Sequence, residues 1–116
     1  MKALYSFEAI YFYRHFVDMR KSINGLSALV VDAMGGDFKK PHLFVFCNRR
    51  RNLMKMIYFD RSGFALWMKR LESHKFPWPR DVEEDAVYVS SEDMELLLSG
   101  INIWTRFEKV GFEEIL

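Results

Sequence analysis

The sequence has a single cysteine, Cys47, and few breakers of regular structure, with three prolines and six glycines in 116 residues. One cysteine excludes an internal disulfide, and a lone thiol inside an apolar run is typical of core packing in a reducing cytosol. No apolar run approaches the roughly 20 residues of a membrane-spanning helix. The apolar N-terminus is interrupted by Glu8, Arg14 and His15, which argues against a signal peptide. These absences predict a cytoplasmic protein.

The sequence also lacks a recognisable catalytic or metal-binding motif. The three histidines are scattered, so no zinc site is expected. Gly35-Gly36 is not followed by the lysine and serine or threonine of a phosphate-binding loop. We expect Asp18 to cap a helix and Asp60 to lie in a turn, which leaves no convergent carboxylates for a nuclease. No enzyme activity and no cofactor are therefore predicted.

Hydrophobic residues make up 50% of the chain and aromatic residues 16%, which is enough to build a core. The length is that of one domain, and no linker or internal repeat divides it, so residues 1–116 are predicted to form a single domain. The patterns predict an α+β fold, in which two main helices pack on a small antiparallel sheet of three to five strands. The predicted strands are 9–16, 43–47, 53–60, 64–71 and 87–89.

Two helices and two hairpin turns are predicted between and after these strands. Asp18 is expected to begin the first helix, and Gly35-Gly36 to end it. The second helix is expected to begin at Ser90 or Ser91 and to run through Leu98. One turn covers residues 48–52, and the other covers residues 60–63, where Gly63 is expected to adopt a positive φ.

The net charge of +1 conceals an uneven distribution. Residues 39–75 carry ten basic side chains against two acidic ones, whereas residues 81–116 carry ten acidic against two basic. Antiparallel register predicts that Phe59 pairs with Phe64, Ile57 with Leu66, Met56 with Trp67, Met54 with Lys69, and Leu53 with Arg70. This register gathers a basic edge at the end of the sheet opposite the 60–63 turn. The predicted edge comprises Arg49, Arg50, Arg51, Lys69 and Arg70, with Lys55 one step inside.

Such a cluster repels itself unless anions are near, and the planar fork of arginine suits phosphate. Phe76 and Trp78 lie nearby in the sequence and offer two interpretations. They could stack on unpaired bases, but aromatic residues beside prolines are more often part of the packing, which is the prediction favoured here. The charge pattern alone also permits a bland interpretation, in which both charged segments are solvated surface.

Specific residues further resemble a known family, and the agreement spans about residues 10–101. The resemblance rests on residues 18–22 (DMRKS), 24–26 (NGL), 43–46 (LFVF), 48–51 (NRRR), Lys55, 58–60 (YFD), 63–64 (GF), 66–67 (LW), 69–72 (KRLE), Phe76, 78–79 (WP) and 97–101 (LLSGI). The chain resembles TnpB, the second-reading-frame (Orf2-like) accessory proteins of the IS-66 family of bacterial insertion sequences. Residues 102–116 lie outside the pattern and are treated as a C-terminal tail.

The resemblance implies an accessory protein of DNA transposition, encoded beside a separate transposase and without established catalytic residues. Its expected partners are DNA at the transposon ends, the cognate transposase and other proteins of the element. The first hypothesis is non-catalytic DNA binding through the basic edge. The alternative is a protein-interaction subunit that docks on the transposase, and the third is an unrecognised enzyme. The candidate DNA-binding residues are Arg20, Lys21, Arg49, Arg50, Arg51, Lys55, Lys69 and Arg70.

Overall fold

A computed structural model describes residues 1–79 and 81–104, which form a five-stranded sheet with two α-helices. The elements in chain order are a 3-10 turn at Leu4–Ser6, β1 Ala9–Tyr13, α1 Ile23–Asp32, β2 His42–Cys47, β3 Leu53–Asp60, β4 Gly63–Arg70, β5 Ala86–Val89 and α2 Ser91–Leu98. The predicted α+β class is confirmed. The predicted C-terminal tail lies outside the described residues from position 105 onward.

The strand order in the sheet is β4-β3-β2-β1-β5. Three of the four strand pairs are antiparallel, but β1 and β2 run parallel, so the sheet is mixed rather than wholly antiparallel. The parallel direction follows from the connection between the two strands. When a helix such as α1 joins neighbouring strands, the chain crosses back over the sheet, and the second strand runs in the same direction as the first. The register predicted for β3 and β4 is confirmed at all five pairs.

The sheet carries a hydrophobic cluster on each face, which explains why every residue of β2 is buried. One cluster joins β1, β2 and β3 to Met94 and Leu97 of α2. The other joins them to Leu26 and Val30 of α1. A strand covered on both faces is expected to be apolar throughout, and the 43–47 segment was predicted as central for that reason.

The first helix starts later than predicted, at Ile23, with Ser22 rather than Asp18 at the N-cap position. The physical reason is that the chain before it is held against the end of β2. The Val17 amide donates to the Cys47 carbonyl oxygen at 3.0 Å, and the Val17 side chain is buried. The second helix follows the prediction, since the Ser90 hydroxyl accepts a hydrogen bond from the Asp93 amide at 3.1 Å.

The β3–β4 turn also differs from the prediction. Arg61 takes the left-handed conformation, with φ of 53°, and Gly63 does not. Gly63 is the first residue of β4 and pairs with Asp60, so its backbone belongs to the ladder and the chain reverses over the two residues between them, Arg61 and Ser62.

At Gly36 the requirement for glycine comes from the close approach of neighbouring side chains and not from a positive φ. A Cβ added there would lie 2.5 Å from Val30 Cγ1 and 2.7 Å from the Phe44 ring. Because both neighbours are core residues that cannot yield freely, we expect Gly36→Ala to destabilise the fold by about 1–3 kcal/mol. Urea unfolding measures the change.

Gly25→Ala is the matched control for that substitution. Gly25 lies inside α1, and an added Cβ would meet only the Lys21 side chain, at 3.4 Å. Alanine in a helix interior is more favourable than glycine by about 1 kcal/mol, so this variant should be at least as stable as the parent. If Gly36→Ala and Gly25→Ala have the same free energy of unfolding, the close-packing interpretation of Gly36 is contradicted.

Candidate nucleic-acid interface

One end of the sheet brings four chain segments together. The β2–β3 turn, residues 48–52, lies there because β2 ends and β3 begins at that end. The parallel pairing of β1 with β2 brings Arg14 and His15 to the same end, directly after β1. The antiparallel partners complete it, since β4 ends there with Arg70 and β5 begins there after Asp85.

Asn48 builds the β2–β3 turn, which we call the arginine turn (residues 48–52). Its side-chain oxygen accepts from the amides of Asn52 and Leu53, both at 3.1 Å, and its side-chain nitrogen donates to Asn52 Oδ1 at 2.7 Å. The Arg51 amide donates to the Asn48 carbonyl oxygen at 3.0 Å, with Arg51 in the left-handed conformation at φ of 57°. The turn is therefore closed by asparagine side chains and backbone, without any guanidinium group.

The segment after β4 fastens this turn to the rest of the sheet. The Leu71 amide donates to the Asn52 carbonyl oxygen at 2.7 Å, and the Phe76 amide donates to the Arg51 carbonyl oxygen at 2.6 Å. Phe76 and Trp78 are both buried, and the Trp78 indole N–H donates to the Tyr13 carbonyl oxygen at 3.1 Å. The prediction that these two aromatic residues are packing is confirmed, and stacking on bases is not available to them.

Arg49 and Arg50 are exposed, and within the described residues neither guanidinium makes an ion pair or hydrogen bond. Two shallow clefts flank them. A cleft of about 420 Å³ joins Arg49 and Arg50 to the 16–19 segment, and a cleft of about 520 Å³ joins Arg49 and Arg51 to the end of β1.

Sequence reasoning missed Arg14 and His15, which line the larger cleft with Arg49 and Arg51. The missing signal was the parallel pairing of β1 with β2, because an antiparallel arrangement would place these residues at the opposite end. Asp85 partly offsets the charge of Arg14, with which it makes a contact of 3.7 Å, and it also lies 2.8 Å from His15 Nε2. Arg14 Nε also donates to the Glu84 carbonyl oxygen at 3.2 Å.

Lys55 was predicted as a DNA contact one step inside the basic edge, but its ammonium group is hydrogen-bonded within the protein. Its ammonium donates to the carbonyl oxygens of Met19 and Lys21, at 2.7 and 2.9 Å. Lys55 stands opposite the buried Phe46 on the α1 side of the sheet, where the 19–21 loop passes over it. Its positive charge therefore ties the loop before α1 to β3.

Two other predicted cations, at the end of β4, have partners within the protein. Lys69 Nζ donates to the Leu98 carbonyl oxygen at 3.3 Å, at the C-terminal end of α2, where a cation is favoured by the helix dipole. Arg70 Nε lies 3.1 Å from Glu72 Oε1. These two contacts moderate the positive charge at the end of β4.

Arg20 is paired with Asp18, whose carboxylate it contacts at 2.6 Å. The hydrogen bonds from the Arg20 side chain and amide lower the pKa of Asp18 to about 2. The Asp18 carboxylate therefore stays charged throughout the physiological range. Lys21 is exposed, and its side chain remains a candidate contact on the same loop.

Cys47 is fully buried, and this burial raises the pKa of its thiol to about 12, so the thiol stays protonated and is core packing, as predicted. Within residues 1–79 and 81–104, no group of three or more His, Cys, Asp or Glu side chains is placed to hold a metal ion. In the same residues, no helix has the length and apolarity to cross a membrane.

The fold and this end of the sheet define a small α+β protein in which the exposed Arg49 and Arg50 follow β2, with the half-buried Arg14 beside them after β1. Over residues 8–108 the chain matches the family described as IS66 Orf2 like protein, and it belongs to that family. The resemblance seen in the sequence is thereby confirmed. The family supports an accessory role in transposition, alongside the transposase and other proteins of the element, and it is not a family of known enzymes.

Two relatives come from Sinorhizobium fredii (strain NBRC 101917 / NGR234). The uncharacterized protein y4jC is 41% identical over 93 residues, which cover 80% of this chain and 78% of the relative. The uncharacterized protein y4hO is 35% identical over 85 residues, which cover 73% of each chain. No solved structure matches the chain.

The inward contacts of Lys55 lead to a prediction about stability. Lys55→Ala removes two hydrogen bonds from an ammonium group to backbone carbonyls, so the free energy of unfolding should fall by roughly 1–3 kcal/mol. Lys39→Ala is the control, because Lys39 is exposed and its side chain makes no hydrogen bond or ion pair with the described residues; its effect should stay within about 0.5 kcal/mol. Chemical denaturation measures both, and a neutral Lys55→Ala would restore Lys55 as a surface candidate.

Proposed function

We propose that this chain is an accessory protein of transposition that binds DNA non-catalytically through the arginine turn, with transposon ends as the DNA. The observation that carries the proposal is the state of Arg49 and Arg50, which are exposed on a turn that is closed without them. A side chain that makes no structural contact in the described fold, on a turn held by five hydrogen bonds of Asn48, is suited to an external partner.

The electrostatics favour a phosphate partner. Arg49 and Arg50 are adjacent, and within the described residues no carboxylate pairs with either. Arginine binds phosphate oxygens through paired N–H groups, and each contact releases a counterion from the DNA. In residues 1–79 and 81–104, no helix or strand at this end is placed to read base edges, so contacts to the phosphate backbone are the mode that the turn supports.

The clefts beside the turn indicate how the contact surface extends. Arg51 and Arg14 border the larger cleft, whereas Lys21 follows the loop that borders the smaller one. We propose Arg49, Arg50 and Arg51 as the primary contacts, with Arg14, His15 and Lys21 beside them. Arg20, Lys69 and Arg70 contribute charge while paired within the protein, and Lys55 is assigned to stability.

Salt dependence of DNA binding tests this proposal. Over roughly 50 to 200 mM salt, the slope of log affinity against log salt should become shallower by about 2 in the double variant Arg49→Ala/Arg50→Ala, because two phosphate contacts are lost. Fluorescence anisotropy with labelled duplex and single-stranded DNA gives the slope for each form. The unfolding free energy should change little, because neither side chain supports the turn.

The matched control is Lys39→Ala/Lys40→Ala, which removes the same net charge from the opposite end of the sheet, before β2. If both double variants lower affinity equally, the attraction is a property of net charge and the arginine turn is not the site. Wild-type binding without any salt slope would likewise contradict the proposal.

Docking on the transposase is the second candidate, and exposed carboxylates favour it. Glu83, Glu84 and Asp85 are exposed just before β5, and Glu92 and Glu95 are exposed on α2. Such a surface suits a basic region of a partner. We expect the chain to co-purify with the transposase of its element, and Glu83→Gln/Glu84→Gln to weaken the complex. Absence of a complex at micromolar concentrations would contradict this candidate.

A further inference from the structure

β4 is an edge strand without the usual protections against pairing with another chain. It is eight residues long, contains no proline, and carries charge only at its last two positions, Lys69 and Arg70. Natural edges are normally short, charged, kinked or covered, because a row of unpaired backbone groups invites another strand. The other edge, β5, has four residues and follows a run of acidic side chains, so it fits that rule.

Within the described residues, the face of β4 on the α1 side is apolar and only partly covered, with the Phe38 ring packing against Phe64 at 4.9 Å between ring centroids. Ile57 packs against α1, and Leu66 stands directly opposite Ile57, so both lie on that face. Phe64 and Met68 share it by strand alternation. Phe64, Leu66 and Met68 remain 39%, 37% and 57% exposed, because α1 packs over β2 and β3 and does not reach β4.

The same three residues present their backbone groups to the free edge. The Leu71 amide bonds the Asn52 carbonyl, which continues the β3–β4 ladder by one pair. Hydrogen-bonded pairs alternate along an antiparallel ladder, so odd-numbered residues of β4 bond to β3. The N–H and C=O groups of Phe64, Leu66 and Met68 therefore point away from the sheet.

We propose that β4 pairs antiparallel with β4 of a second copy of this chain, about a two-fold axis at Leu66. In that register Leu66 faces Leu66 of the second copy, and Phe64 faces Met68 on both sides of the axis. Directly opposed residues share a face, so the exposed apolar rows of the two copies meet. A two-fold interface uses one surface twice, and this strand meets that condition.

Charge favours a second copy in this orientation. Antiparallel pairing places the Lys69–Arg70 end of each strand beside the 60–63 turn of the other, where Asp60 and Arg61 balance each other. A parallel arrangement would set the two basic ends side by side. The proposal is independent of DNA binding, because Leu66 lies apart from the arginine turn.

Sedimentation of the full chain from low micromolar to several hundred micromolar concentration tests the proposal. We expect a concentration-dependent dimer for the wild type and a monomer for Leu66→Glu, with Met68→Glu as a second variant should the first fold poorly. Tyr88→Glu is the control, because Tyr88 is 61% exposed on the other edge strand, and it should leave the dimer intact. A wild-type monomer throughout, or a dimer that only Tyr88→Glu disrupts, would overturn the proposal.

Disulfide trapping tests the register itself. Opposed residues of a hydrogen-bonded antiparallel pair have Cα atoms about 5.5 Å apart, within the range that a disulfide spans. Because Cys47 is buried, Leu66→Cys adds an exposed thiol, which should give a covalent dimer on mild oxidation of a dilute sample. Tyr88→Cys should not do so at the same rate. Equal rates of covalent dimer formation in the two cysteine variants would exclude self-pairing. A β4 strand that binds only a segment of the transposase would exclude it as well.

Discussion

The hydrogen bonds of the Asn48 side chain are the constraint on which the candidate site depends. They fix a five-residue turn between two strands whose directions are set by the cores on both faces of the sheet. A side-chain amide oxygen can accept from two backbone amides at once because it has two lone pairs, while the amide nitrogen remains free to donate to another side chain. Since the asparagine side chains and the backbone close the turn, the side chains of Arg49 and Arg50 make no structural contact within the described residues, and their mutual repulsion is left for an external anion to relieve.

The basic residues of this chain divide by what their charge contacts. Lys55 and Lys69 donate to backbone carbonyls, and Arg20 and Arg70 face carboxylates two residues away. These partners lie 2.6 to 3.3 Å away, within hydrogen-bonding distance, so each of these cations already has a partner inside the protein. The number of positive charges in the sequence therefore overstates the size of the candidate interaction surface. The part of that surface that remains for a partner lies at the arginine turn and beside the end of β1.

Local patterns predicted the strands, the β3–β4 register and the Ser90 cap because each depends on neighbouring residues or on one short turn. The parallel pairing of β1 with β2 depends on how α1 packs, which no local pattern encodes, and Arg14 was missed with it. Asp18 is a residue type favoured at N-caps, but the hydrogen bond from the Val17 amide to the Cys47 carbonyl holds this segment against β2, and the helix begins only at Ile23. The contacts of Lys55 join residues more than thirty positions apart, so only the folded sheet reveals them.

The sheet separates its two exposed features, with the arginine turn at one end and the apolar row along one edge. Eight residues of strand span about 26 Å, whereas charges in physiological salt are screened over about 8 Å. Antiparallel contact along β4 therefore brings apolar surfaces together while the two arginine turns stay far beyond the screening distance, facing opposite directions. The geometry thus reconciles self-association with concentrated positive charge, and a pair of chains so arranged presents two separate surfaces for phosphate.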